Sequence, residues 1–261
     1  MRPYTRTMLA LSCLATAPAL YAADAPAPAP DYTVTANVGL FSQYIFRGLT
    51  QTNEKPALQG GFDYSHSSGF YLGYWGSNIS WISDFAPGTS ASLESDFYGG
   101  YKKSWDDWSL DVGLLRYQYF GSYLSGAIKP DTTEIYVAGG WKTVSLKYSH
   151  SLGDTFGVCS ASGTYYLDLT GTYPIGDFYV LGHAGKQKYK GTCTGVNNDV
   201  ASYNDYKVEG GWSFAKDWTL AVGYSTTDAD DGGKTQAFYT PASTNKFIGD
   251  SFGYVYVKKT F

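Results

Sequence analysis

From Tyr32 onward, apolar and polar residues alternate at period two, in runs broken by turn-forming residues. Such alternation predicts β-strands with one apolar and one polar face. The runs fall near 32–46, 57–65, 69–79, 92–103, 107–119, 132–142, 143–150, 164–173, 177–189, 203–213, 217–227 and 250–261. Most approach the roughly 9–11 residues that a tilted strand needs to cross a bilayer. No helix is expected. Within 132–142, Ile135, Val137, Gly139 and Trp141 share one face, while Glu134, Tyr136, Ala138, Gly140 and Lys142 share the other. In 217–227, Trp218, Leu220, Val222 and Tyr224 oppose Thr219, Ala221, Gly223 and Ser225.

The breaks between runs alternate in length. "RGLTQTNEK" is followed by "SHSS", "SWISDFAPGTSA" by "SWDD", "GSYLSGAIKPDT" by a minimal break at "WKT", "SLGDTFGVCSASG" by "PIG", and "KGTCTGVNNDVAS" by "FAK". The longest break, "DADDGGKTQAFYTPASTNKFIG", precedes the final run. Long loops on one side and short turns on the other are the asymmetry of outer-membrane barrels, whereas a sandwich has no reason for it. The expected fold is all-β: a transmembrane antiparallel up-and-down β-barrel of about 12 strands. Trp105, Trp108, Trp141, Trp212 and Trp218 all lie beside the short breaks, where an aromatic girdle would sit.

Composition agrees. Charged residues make up only 16% and aromatic residues 18%, with 25 Tyr and 31 Gly, yet mean hydropathy is −0.25. A chain poor in charge but not apolar in bulk suits a barrel with a lipid face and a polar lumen. The net charge of −4 offers nothing to nucleic acid. At the N-terminus, Arg2 and Arg6 precede "MLALSCLATAPAL" and the small-residue junction "YAAD". Residues 1–22 therefore read as a secretory signal peptide, 23–31 as a Pro/Ala leader and 32–261 as the barrel. A lipoprotein signal at Cys13 is the alternative, but Ala10 stands where such signals favour Leu. The chain ends "DSFGYVYVKKTF". A barrel has no free edge, so this last strand is expected to pair with the first. Phe261, with Val255 and Val257, fits the terminal signal read by the outer-membrane assembly machinery, although Lys259 interrupts it.

Alternation assigns Asp63, Glu94, Asp96, Lys102, Asp111, Glu134, Lys147, Asp168, Lys207 and Glu209 to the inner face. Acids outnumber bases, so a wet lumen should weakly favour cations. The same side chains could instead pair across the bore and fill it. Arg47, in "FRG", is expected at the pore mouth, or as a structural ion pair with an inward acid such as Asp63. Cys159 and Cys193 fall in successive long loops, and a disulfide tying those loops is expected on an oxidising side. Neither metal nor cofactor is expected. "DADDGG" resembles the start of a calcium loop, but Tyr239 stands where the closing Glu belongs. In both "SHS" stretches each Ser adjoins the His, so on a strand they would point to opposite faces, and no local Ser–His catalytic pair is expected.

The stretch "YIFRGLTQTNEKPALQGGFDYSHSSGFYLGYWGSN" resembles the TorF-type porin family of Gram-negative outer-membrane proteins. The residues that carry the likeness are Tyr44, Phe46, Arg47, Gly48, Gln51, Pro56, Ala57, Gln59, Gly60, Gly61, Asp63, Ser68, Gly69, Gly73 and Trp75. "ESDFYGGY", "KYSHSLGDTFG", "YYLDL" and "KKTF" extend it along the mature chain. The resemblance implies an outer-membrane barrel in contact with lipid and, more weakly, a porin; it implies no particular substrate. The function expected is passive diffusion of small hydrophilic solutes or ions. The alternatives are a closed structural or adhesive barrel acting through its loops, and a lipid-acting barrel enzyme.

Overall fold

A computed structural model describes residues 30–231 and 238–261; the segments expected to be a signal peptide and most of a leader lie outside the described residues. In chain order the elements are β1 (Tyr32–Phe41), the short β2 (Ile45–Phe46) and β3 (Leu49–Thr50), β4 (Ala57–His66), β5 (Phe70–Asn78), helix α1 (Trp81–Phe85), β6 (Leu93–Trp105) and β7 (Trp108–Phe120). They continue with β8 (Thr132–Trp141), β9 (Val144–Ser151), β10 (Tyr165–Ile175), β11 (Phe178–Lys188), the short β12 (Thr192–Cys193) and β13 (Val196–Asn197), β14 (Tyr203–Phe214), β15 (Trp218–Thr227) and β16 (Phe252–Thr260). All but β2, β3, β12 and β13 join one closed antiparallel barrel of twelve strands, each paired with its neighbour in sequence, with β16 closing on β1. Leu40 lies opposite Val257, and Ala36 and Phe261 exchange backbone hydrogen bonds of 2.8 and 3.3 Å.

Two expectations are corrected. The first run does not continue to residue 46: β1 stops at Phe41, and β2 and β3 form a separate small hairpin in the first long loop. The chain is also not wholly free of helix, because the second long loop carries the five-residue α1 and the fifth a 3-10 turn at Asn198–Ala201.

The short turns match the sequence reading. Those at 106–107, 142–143 and 176–177 each open with a positive-φ residue, namely Asp106, Lys142 and Gly176. Tight hairpins need this local geometry. Trp108 and Trp141 face each other in register at this end, their rings 6.3 Å apart, and Trp212 stacks on Phe214 at 4.9 Å.

The outer face is apolar and uncovered. Leu58, Leu72 and Val222 are 61, 65 and 64% exposed. A continuous apolar belt of this kind is unfavourable in water. The buried clusters lie at the long-loop end instead. One gathers Tyr44, Ile79, Ile82, Tyr117 and Tyr119; the other gathers Tyr189, Ala201, Tyr203, Tyr239 and Ile248.

Candidate functional site: the lumen and its mouth

The inner wall is built from a repeated trio. On three consecutive strands, Asp63 (β4), Gly73 (β5) and Tyr98 (β6) lie directly opposite one another, and the Tyr98 hydroxyl donates to Asp63 at 2.6 Å. Glu209 (β14), Gly223 (β15) and Tyr254 (β16) repeat this arrangement at 2.7 Å. The glycine is required by the close approach: a Cβ on Gly73 would stand 2.2 Å from the Tyr98 ring, and one on Gly223 2.3 Å from that of Tyr254. Tyrosine thus lies across a glycine to reach a carboxylate two strands away, covering the gap the glycine leaves. Tyr166 reaches Asp205 at 2.8 Å over Gly185 in a diagonal version, and Glu209 also accepts from Tyr179 at 2.6 Å and Tyr256 at 3.0 Å.

The inward charges follow the register. Lys102, Asp111, Ala138, Lys147, Asp168, Gly185 and Asp205 form one continuous row across seven strands, opposite charges meeting at Lys102–Asp111 and Lys147–Asp168. Asp111 accepts from Tyr71 at 2.6 Å, and the Lys147 ammonium stands 4.0 Å from the centre of the Tyr136 ring. Lys207 lies in register beside His183. His183 is held between Asp168 (3.2 Å) and Asp205 (2.9 Å), with Thr170 and Tyr166 at 2.9 and 3.0 Å. Both ring nitrogens are engaged by this cage of carboxylate and hydroxyl oxygens. His183, Asp205 and Lys258 are inward groups that the sequence reading left out of the pore-lining set. Asp205 is two residues from Lys207, and its place in the alternation was a usable signal.

The long-loop end is narrowed by the first loop. The β2–β3 hairpin carries Arg47 (φ +46) and Gly48 (φ +81) at its tip. Arg47 bonds Glu134 through both carboxylate oxygens, at 2.8 and 3.0 Å, and its other terminal nitrogen donates to Gln187 at 2.8 Å. The guanidinium lies 4.3 Å from the Tyr166 ring centre and 4.9 Å from that of Phe46. Gly48 abuts the opposite wall, where a Cβ would meet Thr227 at 2.4 Å and Asp205 at 2.7 Å. The tip therefore spans from β8 and β11 to β14 and β15. Arg47 thus pairs with an inward acid, but that acid is Glu134 and not the Asp63 named as an example, whose carboxylate accepts from Tyr98. Glu94 and Asp96 face inward but are only 1 and 8% exposed, and Glu94 accepts from Tyr44 of the same loop at 2.6 Å. Glu134 and Glu209 are likewise buried.

Above Arg47 the loops enclose a cup of about 930 Å³. Its lining includes Trp81, Tyr123, Phe156, Tyr189 and Tyr239. Burial, and then the Asp131 carboxylate, pushes the Tyr123 hydroxyl up to about 12, and burial raises Tyr239 as well, so both are neutral at physiological pH. Cys159 and Cys193 form a disulfide with Cα atoms 5.3 Å apart, joining the fourth and fifth long loops at this rim.

The Gcw_chp family, described as bacterial protein of unknown function, matches residues 24–261. That description carries neither the TorF name nor a porin assignment. No curated protein matches the sequence. Among solved structures, the KdgM porin is similar with a TM-score of 0.53 at 11% identity, over 87% of this chain and 99% of that one. An outer membrane channel from Pseudomonas putida F1 is similar with a TM-score of 0.53 at 10% identity, over 89 and 97% of the two chains. These likenesses concern the fold.

Proposed function

We propose that this chain, which belongs to the Gcw_chp family, is a porin-like outer-membrane channel for passive diffusion of small hydrophilic solutes or ions. The observation that carries the reading is the division of the twelve strands into an uncovered apolar exterior and an interior set with ionisable side chains. A lipid bilayer satisfies the first face and water the second. The fold shared with the KdgM porin supports the reading, as does the terminal strand, whose Phe261 suits recognition by the assembly machinery.

Solute would pass the Arg47–Glu134 level and then the charged row of the lower lumen. Cation preference is weak in this reading. The acid excess lies largely in Glu94, Asp96, Asp205 and Glu209, which are buried. Of the less buried acids, Asp111 lies opposite Lys102 and Asp168 opposite Lys147, and Lys207 and Lys258 add further inward positive charge. The net field favours cations without a dominant acidic ring. A second reading, a closed barrel acting through its loops, is favoured by the loop tip that crosses the bore at Arg47.

Single-channel recording in a planar bilayer tests the proposal. Steady conductance steps are expected, with a reversal potential in a KCl gradient that moves toward the anion side in D111N/D168N. Absence of steps from a folded barrel would reject the channel and leave the second reading.

A further inference from the structure

We propose that the loop-lined cup at the barrel mouth is a binding site for a small, apolar, ring-bearing molecule. The proposal goes beyond diffusion of hydrophilic solutes and does not rest on conduction: the aromatic walls of the cup lie above the charged row of the lumen, and it shares Arg47 and Gln187 with the constriction.

Its volume of about 930 Å³ is suited to a drug-sized ligand. Its walls are the two buried clusters of the loop end, one on each side, so the surface between them is the uncovered part of an apolar core. At the rim, Phe85, Ile128, Val196 and Val200 from three different loops remain 39, 46, 48 and 37% exposed. Water in such a cup has few partners, and an apolar ligand displaces it favourably.

The polar side chains of the lining point to the ligand class. Arg47 is taken by Glu134 and Gln187. The Gln51 side-chain amide donates to the Leu49 carbonyl at 3.0 Å, and that of Asn198 donates to the carbonyls of Cys159 (3.0 Å) and Lys190 (2.8 Å). A polar ligand would compete with these bonds and, among the described residues, find only the buried, unpartnered Trp81 Nε1 and Thr240 Oγ1 open to it, whereas rings find aromatic faces and edges along most of the wall. Phe46 and Phe156 already pack edge to face at 5.6 Å, as do Trp81 and Tyr119.

The cup is also held in shape before any ligand arrives. The Cys159–Cys193 disulfide and Asn198 tie the fourth loop to the fifth, and the Ser243 hydroxyl donates to the Asp84 carbonyl between the sixth and second. A preformed site loses little order on binding.

The probe is 1-iodonaphthalene, added to the full barrel in amphipol and soaked into its crystals. Anomalous iodine density is expected inside the cup, together with saturable quenching of tryptophan fluorescence. I128N/V196N and the cup-filling A127W should each weaken binding about tenfold or more, while V222N on the outer face should leave it unchanged. Heat-dependent gel mobility checks that each variant retains its barrel. Iodine found only on the outer strand face, or equal affinity in the wild type and both cup variants, would overturn the proposal. Loss of conductance with retained binding would reject the channel reading alone.

Discussion

Arg47 and Glu134, 87 residues apart in sequence, meet through two hydrogen bonds of 2.8 and 3.0 Å inside the barrel, with side chains 7 and 2% exposed. One partner comes from a loop tip and the other from the wall. The pair therefore joins the stability of the mouth to the width of the bore.

Removing one partner leaves a buried charge behind. Arg47→Ala and Glu134→Ala should each destabilise the barrel by about 3–5 kcal/mol, and the double variant should cost less than the sum. Urea unfolding in a double-mutant cycle measures this coupling. Arg47→Lys should not restore it, because an ammonium lacks the planar fork that spans Glu134 and Gln187. In the channel reading, Arg47→Ala should also raise conductance.

The tyrosine–glycine–carboxylate trios predict intolerance of small substitutions. A methyl on Gly223 would stand 2.3 Å from the Tyr254 ring and displace its hydroxyl from Glu209. Gly223→Ala should cost about 1–3 kcal/mol from overpacking and the displaced bond. Gly139 has nothing within 4 Å of an added Cβ, so Gly139→Ala should be nearly neutral. The midpoint of thermal gel-mobility loss distinguishes the two.

The outer face gives a depth-dependent test of membrane embedding. Val222 is 64% exposed and lies opposite Val255 in mid-strand. Val222→Arg should destabilise the bilayer-embedded barrel by about 2–4 kcal/mol, measured by folding into phospholipid vesicles. A neutral result would contradict a lipid-facing β15.

The disulfide spans 34 residues of chain. In the loop-closure model such a crosslink restricts the unfolded chain by about 3–4 kcal/mol. The Cys159→Ser/Cys193→Ser variant should keep the strand circular dichroism yet exchange amide hydrogens faster in the fourth and fifth loops. Hydrogen exchange resolved by mass spectrometry reads this directly.

Much of this architecture was legible in the order of residues, because period-two alternation and turn composition are local properties. They place Asp63, Lys102 and Asp168 on the inner face and Val222 on the outer without any knowledge of pairing. Loop lengths likewise separate the two ends of the barrel. What tertiary structure decided is which distant side chains meet. Arg47 binds Glu134 rather than Asp63 because the first loop folds inward and Tyr98 already occupies Asp63 across Gly73. Glu94 and Asp96 are buried because that same loop covers them, with Tyr44 bonded to Glu94. The aromatic cup exists only where six loops converge. Alternation specifies a side chain's face; strand register and loop path, set by contacts tens of residues away, specify its neighbours.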